Sequence, residues 1–156
     1  MVFPRKYQIL IGILEILTIA VVIVLLTFQK IKTNSYPYSH TVRINNRVVL
    51  VDLATNPVSQ YKGLSNRESL CSDCGMLFIF PDKQIRSFVM REMNFPLDII
   101  FVNDNKIVNI EEKLKPEGSD PINIYKSIIP VDKVLELPSS YTEKYKIKVG
   151  DEILID

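Results

Sequence analysis

Histidine, cysteine and glycine are scarce in this 156-residue chain, which has one, two and five of them and no tryptophan. With His40 as the single imidazole, a serine or cysteine nucleophile would have to recruit its base from that one position, and a nucleophile without a base is not activated. A structural zinc site takes four ligands, and beyond Cys71, Cys74 and His40 there is no second cysteine pair to complete one. The few glycines form no phosphate-cradling loop and no Gly-x-Ser-x-Gly elbow, and His-Glu-x-x-His is also missing. No catalytic constellation, metal or cofactor is therefore expected. An excess of basic charge is lacking as well. The net charge of +1 conceals a split, because the first 32 residues carry four Lys or Arg against one Glu and the remainder 15 against 17 acidic residues. A mildly acidic domain without a basic stripe excludes nucleic acid as its partner.

Apolar residues are plentiful but uneven: 21 of the first 32 positions against 52 of the following 124. From Ile9 to Phe28 the single charge is Glu15. At about 1.5 Å per residue, such a helix spans the ~30 Å hydrocarbon core of a bilayer. No Ala-x-Ala cleavage pattern follows, which favours an uncleaved anchor over a signal peptide. The organisation expected is a short tail at 1–8, a transmembrane helix at 9–28, a linker at 29–40 and a domain at 41–156. Arg5 and Lys6 precede the span while Lys30 and Lys32 follow it, so the positive-inside count nearly ties. The short tail places the N-terminus in the cytoplasm and the domain outside. His40, beside the linker, is read as solvated.

Residues 41–156 read as a compact β-rich α+β domain, mostly antiparallel, with two or three short helices. Asn45-Asn46 predicts a hairpin between 41–44 and 47–53. Asn56-Pro57 predicts a capped helix ending at Gly63, and Ser65-Asn66-Arg67-Glu68 a second helical turn. Strands are expected over 76–80 (ended by Pro81-Asp82), 87–90, 97–102, 106–110, 134–137, 146–149 and 152–155, the last two joined by Gly150-Asp151.

Cys71-Ser72-Asp73-Cys74 is the sharpest local pattern. A redox dithiol normally opens a helix, whose dipole lowers the thiol pKa. Here a strand follows, and Glu68 and Asp73 oppose thiolate formation. A structural disulfide suits an oxidising compartment and, for so short a loop, is worth roughly 2 kcal/mol. Asp98 interrupts the apolar run Pro96–Phe101. It must meet Arg67, Arg91 or backbone donors, either as a structural pair or as one side of a ligand pocket shared with Arg67 and lined by Met76, Phe78 and Met90.

The order of blocks then carries a resemblance. Gly63-Leu64-Ser65-Asn66-Arg67, Gly75-Met76-Leu77-Phe78-Ile79-Phe80, Phe88-Val89-Met90, Pro96–Phe101, Val134-Leu135-Glu136-Leu137 and Gly150-Asp151 resemble the domain of unknown function 192 family over residues 41–156. The resemblance implies a small β-rich domain, often exported or membrane-anchored, with no catalytic residues to carry over. The chain departs from the family at Ser65, where Met is usual, and at Val89-Met90-Arg91-Glu92-Met93, where Trp-Met-Lys-Asn-Thr is usual. Pro138-Ser139-Ser140-Tyr141 also follows the Leu-Glu-Leu block in place of a small residue and Gly. A ligand held through those groups elsewhere would be held differently here. The function expected is that of a membrane-anchored extracytoplasmic domain binding a small ligand or an envelope protein. The alternatives are a thiol-disulfide protein using Cys71 and Cys74, and a hydrolase with Asp98 or Asp151 as base, for which no second catalytic group stands at defined spacing.

Overall fold

The computed structural model describes Pro4, residues 15–23, Tyr38 and residues 40–156, and the chain divides into two units, Met1–Tyr36 and Pro37–Asp156. In the first unit, residues 15–23 form a helix, α1, whose Ile16, Leu17, Ile19, Val21, Val22 and Ile23 side chains are all exposed. The remainder of the span expected over 9–28, and most of the tail and linker, lie outside the described residues. Among the described residues no helix is long and apolar enough to cross a membrane.

In the second unit, β1 (His40–Ile44) and β2 (Arg47–Ala54) form the hairpin at Asn45-Asn46, with Asn45 at φ 53°. His40 thus opens a strand instead of closing the linker. Asn56 caps α2 (Pro57–Lys62) by accepting from Ser59 N, and Gly63 ends it at φ 50°, ψ −135°, a conformation that glycine tolerates without a Cβ clash. The crossover through α2 lets β3 (Cys74–Gln84) run parallel to β2. β4 (Ser87–Phe88) pairs apart from the main sheet with β7 (Tyr125–Lys126). β5 (Leu97–Asn103), β6 (Lys106–Leu114), β8 (Val131–Pro138) and β9 (Ile153–Ile155) complete a seven-stranded sheet in the order β6-β5-β8-β3-β2-β1-β9. All its pairs other than β2/β3 are antiparallel.

The two edges of this sheet meet. Lys106 bridges Glu152, while Ile107 N, Gly150 N and Ile153 N donate to Asp151 O, Ile107 O and Asn105 O. The sheet therefore curls on itself. One face packs Val42, Val51, Leu77, Ile100, Leu135 and Ile153, with Tyr141 from α3 (Tyr141–Tyr145). With Ile107 of β6 in the same cluster, both edges contribute, so these residues fill the inside of the curl. The outer face packs Leu64, Met76, Phe78, Met90, Ile99 and Phe101.

Several elements differ from the expectation. Residues 65–68 make no helix because they dock elsewhere: Ser65 Oγ donates to Arg91 O at 2.8 Å and Asn66 N to Glu92 O at 2.8 Å, with Asn66 at φ 62°. Pro81 does not end β3, since the register against β8 shifts between Ile79 and Gln84 and an irregular stretch tolerates a missing N–H. Residues 146–149 are not a strand. They close α3, with Lys146 at φ 56° and Ile147 N donating to Thr142 O.

Candidate functional site

Asp52 on β2, Met76 on β3, Glu136 on β8 and Ile99 on β5 are successive register partners, so their side chains stand on one face of the sheet, the outer one. A carboxyl group in the middle of such a row is unusual. Glu136 is 6% exposed, and its Oε2 is buried with no hydrogen-bond partner among the described residues. Burial pushes its pKa up to about 8, against the opposing pull of the Arg67 charge. Arg67 reaches this face from the turn after α2, where its Nη2 donates to Asp52 Oδ2 at 2.6 Å.

Glu136 lies at a cleft of about 430 Å³ bounded by the end of α2, the turn that follows it and the 85–93 segment. Phe78 meets Phe88 edge-to-face, with centroids 4.9 Å apart. The Arg86 guanidinium lies 3.9 Å above the Phe80 ring, and that of Arg91 4.0 Å above Tyr61. Arg91 Nη2 also donates to Tyr61 O at 2.9 Å, and Arg86 Nη2 to Asp82 O at 2.8 Å. Arg86 Nε, like Glu136 Oε2, is buried without a partner among the described residues. Apolar walls with a few polar groups converging on them are the usual make-up of a ligand site. A second, smaller cleft of about 350 Å³ borders it at Lys62 and Gly63 and is lined by Asp52, Arg67 and Met76.

Of the residues singled out from the sequence, Phe78 lines the larger cleft, Arg67 and Met76 line the smaller one, and Met90 is buried in the core lining neither. Asp98 does not share a pocket with Arg67. Its register partner on β8 is Leu137, one residue from Glu136, and strand alternation turns it to the inside of the curl. There the fully buried carboxylate accepts from Lys113 N, Ser140 N, Thr142 N and Thr142 Oγ1 at 2.7 to 3.0 Å. Backbone donors and one hydroxyl satisfy it, and neither Arg67 nor Arg91 does.

Cys71 and Cys74 form a disulfide with Cα atoms 5.1 Å apart, at the start of β3 with no helix opening at the pair. Asp73 between them is ion-paired to Arg47 and accepts from Tyr141 OH at 3.0 Å. The hydrogen bond from Arg47 holds its carboxyl below the usual carboxylate range. The Asp73 charge noted in the sequence is thus compensated, but the helix dipole that a reactive dithiol draws on is missing.

Glu136, Arg86 and Phe88 are the residues that sequence reasoning missed. Glu136 interrupts Val134-Leu135-Glu136-Leu137 just as Asp98 interrupts its own apolar run, so the same argument would have marked it.

The raised pKa of Glu136 gives a measurable slope. Between its ordinary value of 4.5 and about 8, the unfolded chain releases a proton that the folded chain keeps. Stability therefore falls as pH rises through this window and levels off above it. From pH 6 to pH 8 the loss is about 2 kcal/mol. Urea unfolding of Glu136→Gln should show that slope removed; an unchanged slope would mean that Glu136 does not hold a proton in the fold.

Comparisons with known proteins agree with this architecture. The family DUF192, described as an uncharacterised ACR, matches residues 40–155. A candidate transcription regulator from Sinorhizobium meliloti 1021 is 29% identical over 75% of this chain and 94% of its own, with a TM-score of 0.70. A protein of unknown function from Novosphingobium aromaticivorans DSM 12444 is 30% identical over 73% of this chain and 83% of its own, with a TM-score of 0.68. No curated protein matches. Ser65, Val89, Arg91 and Met93, all within the blocks where the chain departs from the usual pattern, line the larger cleft. The match over nearly the whole second unit places the chain in the DUF192 family.

Proposed function

We propose that the chain is a membrane-tethered binding domain, anchored through residues 9–28 with residues 41–156 outside the cytoplasm, that takes a small ligand in the cleft at Glu136. The observation that carries the binding site is the buried Glu136 carboxyl, a polar group with an atom that has no partner among the described residues, set against aromatic walls. Burying such a group without a partner is costly, and a ligand would relieve that cost. Support for the tether is the apolar run at 9–28, of which residues 15–23 are helical with apolar side chains exposed all round. The Cys71–Cys74 disulfide suits an oxidising compartment. Transcription regulation, the role attached to the neighbour from S. meliloti, is not carried over, because residues 33–156 have 15 basic against 17 acidic side chains.

Protease added to intact spheroplasts of a bacterial host is expected to remove the C-terminal domain, and full protection would reverse the orientation. For the cleft, a thermal-shift screen of small metabolites on the full chain is expected to give binders that Val89→Trp abolishes. The added indole would occupy the space that Val89 leaves beside Arg91 and Met93. Binders that survive Val89→Trp unchanged would place the ligand elsewhere.

A further inference from the structure

The charges around the cleft are one-sided. Lys62, Arg86 and Arg91 line it, and the one acid among the lining residues is Glu136. Arg86 is partly neutralised by its ion pair with Asp82 at 2.5 Å, but that contact uses Nη2 and leaves the buried Nε–H without a partner among the described residues. Arg91 lies flat on Tyr61 and spends one Nη2 bond on a backbone carbonyl, so no carboxylate offsets it in the cleft. Arg86 Nε and Glu136 Oε2 are the two atoms of the lining residues that are buried without a partner among the described residues. Arg86 Nε is a donor by its chemistry, and a carboxyl in its acid form presents an O–H donor. Two donors call for an acceptor, and hydrogen bonds to an ionised acceptor are the stronger ones. Among the other lining residues, Tyr61, Phe78, Phe80 and Phe88 offer ring edges and faces to a flat apolar body. A volume of about 430 Å³ suits a ligand of one or two rings.

Building on the binding site proposed above, we infer that the cleft takes a small aromatic carboxylate, its carboxylate oxygens accepting from Arg86 Nε and the Glu136 carboxyl and its ring lying among Phe78, Phe80 and Phe88. Arg91 and Lys62 supply the positive field that favours an anion over its neutral counterpart.

The experiment compares acids with their amides. Phenylacetate, cinnamate, phenylacetamide, cinnamamide and phenyl phosphate are titrated by calorimetry into the full chain held in mild detergent, at pH 6.5. At least one carboxylate should bind tenfold or more tighter than its amide and than phenyl phosphate. Arg86→Met and Glu136→Leu should each weaken that carboxylate tenfold or more, and Lys115→Met, away from the cleft, should leave it unchanged. Circular dichroism on each variant checks that the fold is kept. Amides or the phosphate binding as tightly as the acids would overturn the inference while leaving the cleft as a binding site. Absence of carboxylate binding up to 10 mM overturns it as well. The reading of the cleft itself then fails if the broad screen also returns no binder sensitive to Val89→Trp.

Discussion

Asp98→Ala is expected to remove about 4–6 kcal/mol of stability, a large part of the roughly 5–15 kcal/mol that holds a domain of this size. The reason is the completeness of its bonding. The carboxylate takes two N–H donors on Oδ1, from Lys113 and Ser140, and an N–H and a hydroxyl on Oδ2, both from Thr142. Alanine at this fully buried position strands the three N–H donors, while the Thr142 hydroxyl keeps Glu112 Oε1 as acceptor at 2.5 Å, and each buried unsatisfied group costs about 1–3 kcal/mol. Asp98→Asn should fall between the two, because its amide NH₂ faces Thr142 N–H and two donors cannot pair. Denaturant titration followed by far-UV circular dichroism gives the three values. A loss under 1 kcal/mol in the alanine variant would show that water replaces the carboxylate and that the network is not structural.

Gly75→Ala is expected to be nearly as damaging for a different reason. Gly75 stands in β3, next to Met76, the register partner of Glu136 on β8. A Cβ added there would lie 2.5 Å from Glu136 O and 2.9 Å from Leu137 Cδ2. The first contact is with backbone in the middle of the sheet, so relief requires the β3/β8 ladder to part. Overpacking of this kind costs about 3 kcal/mol or more, which for a domain of this size is a fall in Tm of roughly 12 °C. Gly118→Ala is the control, since nothing lies within 4 Å of its added Cβ. A Gly75→Ala protein melting with the Gly118→Ala control would contradict the tight approach of the strands. The same clash sits one residue from the cleft, so any Gly75→Ala protein that folds should also bind ligand poorly.

Elements with local causes were legible in the sequence. The β1/β2 hairpin depends on two adjacent asparagines, and α2 on Asn56, Pro57 and Gly63, all within eight residues of one another. Helix α3 was not legible because its cap is tertiary. Ser140 makes no side-chain cap; Asp98, 42 residues earlier, accepts from the helix N-terminus instead. The turn at 65–68 looked like a capping box because Ser65 and Glu68 have the right spacing, yet the hydroxyl goes to Arg91 O. The site was half visible for a related reason. An apolar run broken by an acid, as at Asp98, marks a carboxyl that is costly to bury, but the run alone does not say toward which face of the sheet the acid turns. Register does. Ile99 pairs with Glu136 and Asp98 with Leu137, so two acids in neighbouring strands serve opposite sides. One is locked by the fold and the other borders the cleft.

The pairing of β1 with β9 also has a consequence for the order of events in making the protein. Val42 lies beside Ile155, so the outer side of the domain's first strand finds its partner more than a hundred residues later, and β6 meets its counterpart at Glu152 in the same stretch. Long-range closure of this kind slows folding, because loop entropy is lost before the contacts that compensate it form. During synthesis the chain emerges with both sheet edges open, and neither can close until residues 152–155 have emerged. Until β9 is available the domain must be kept from pairing its open edges with other chains.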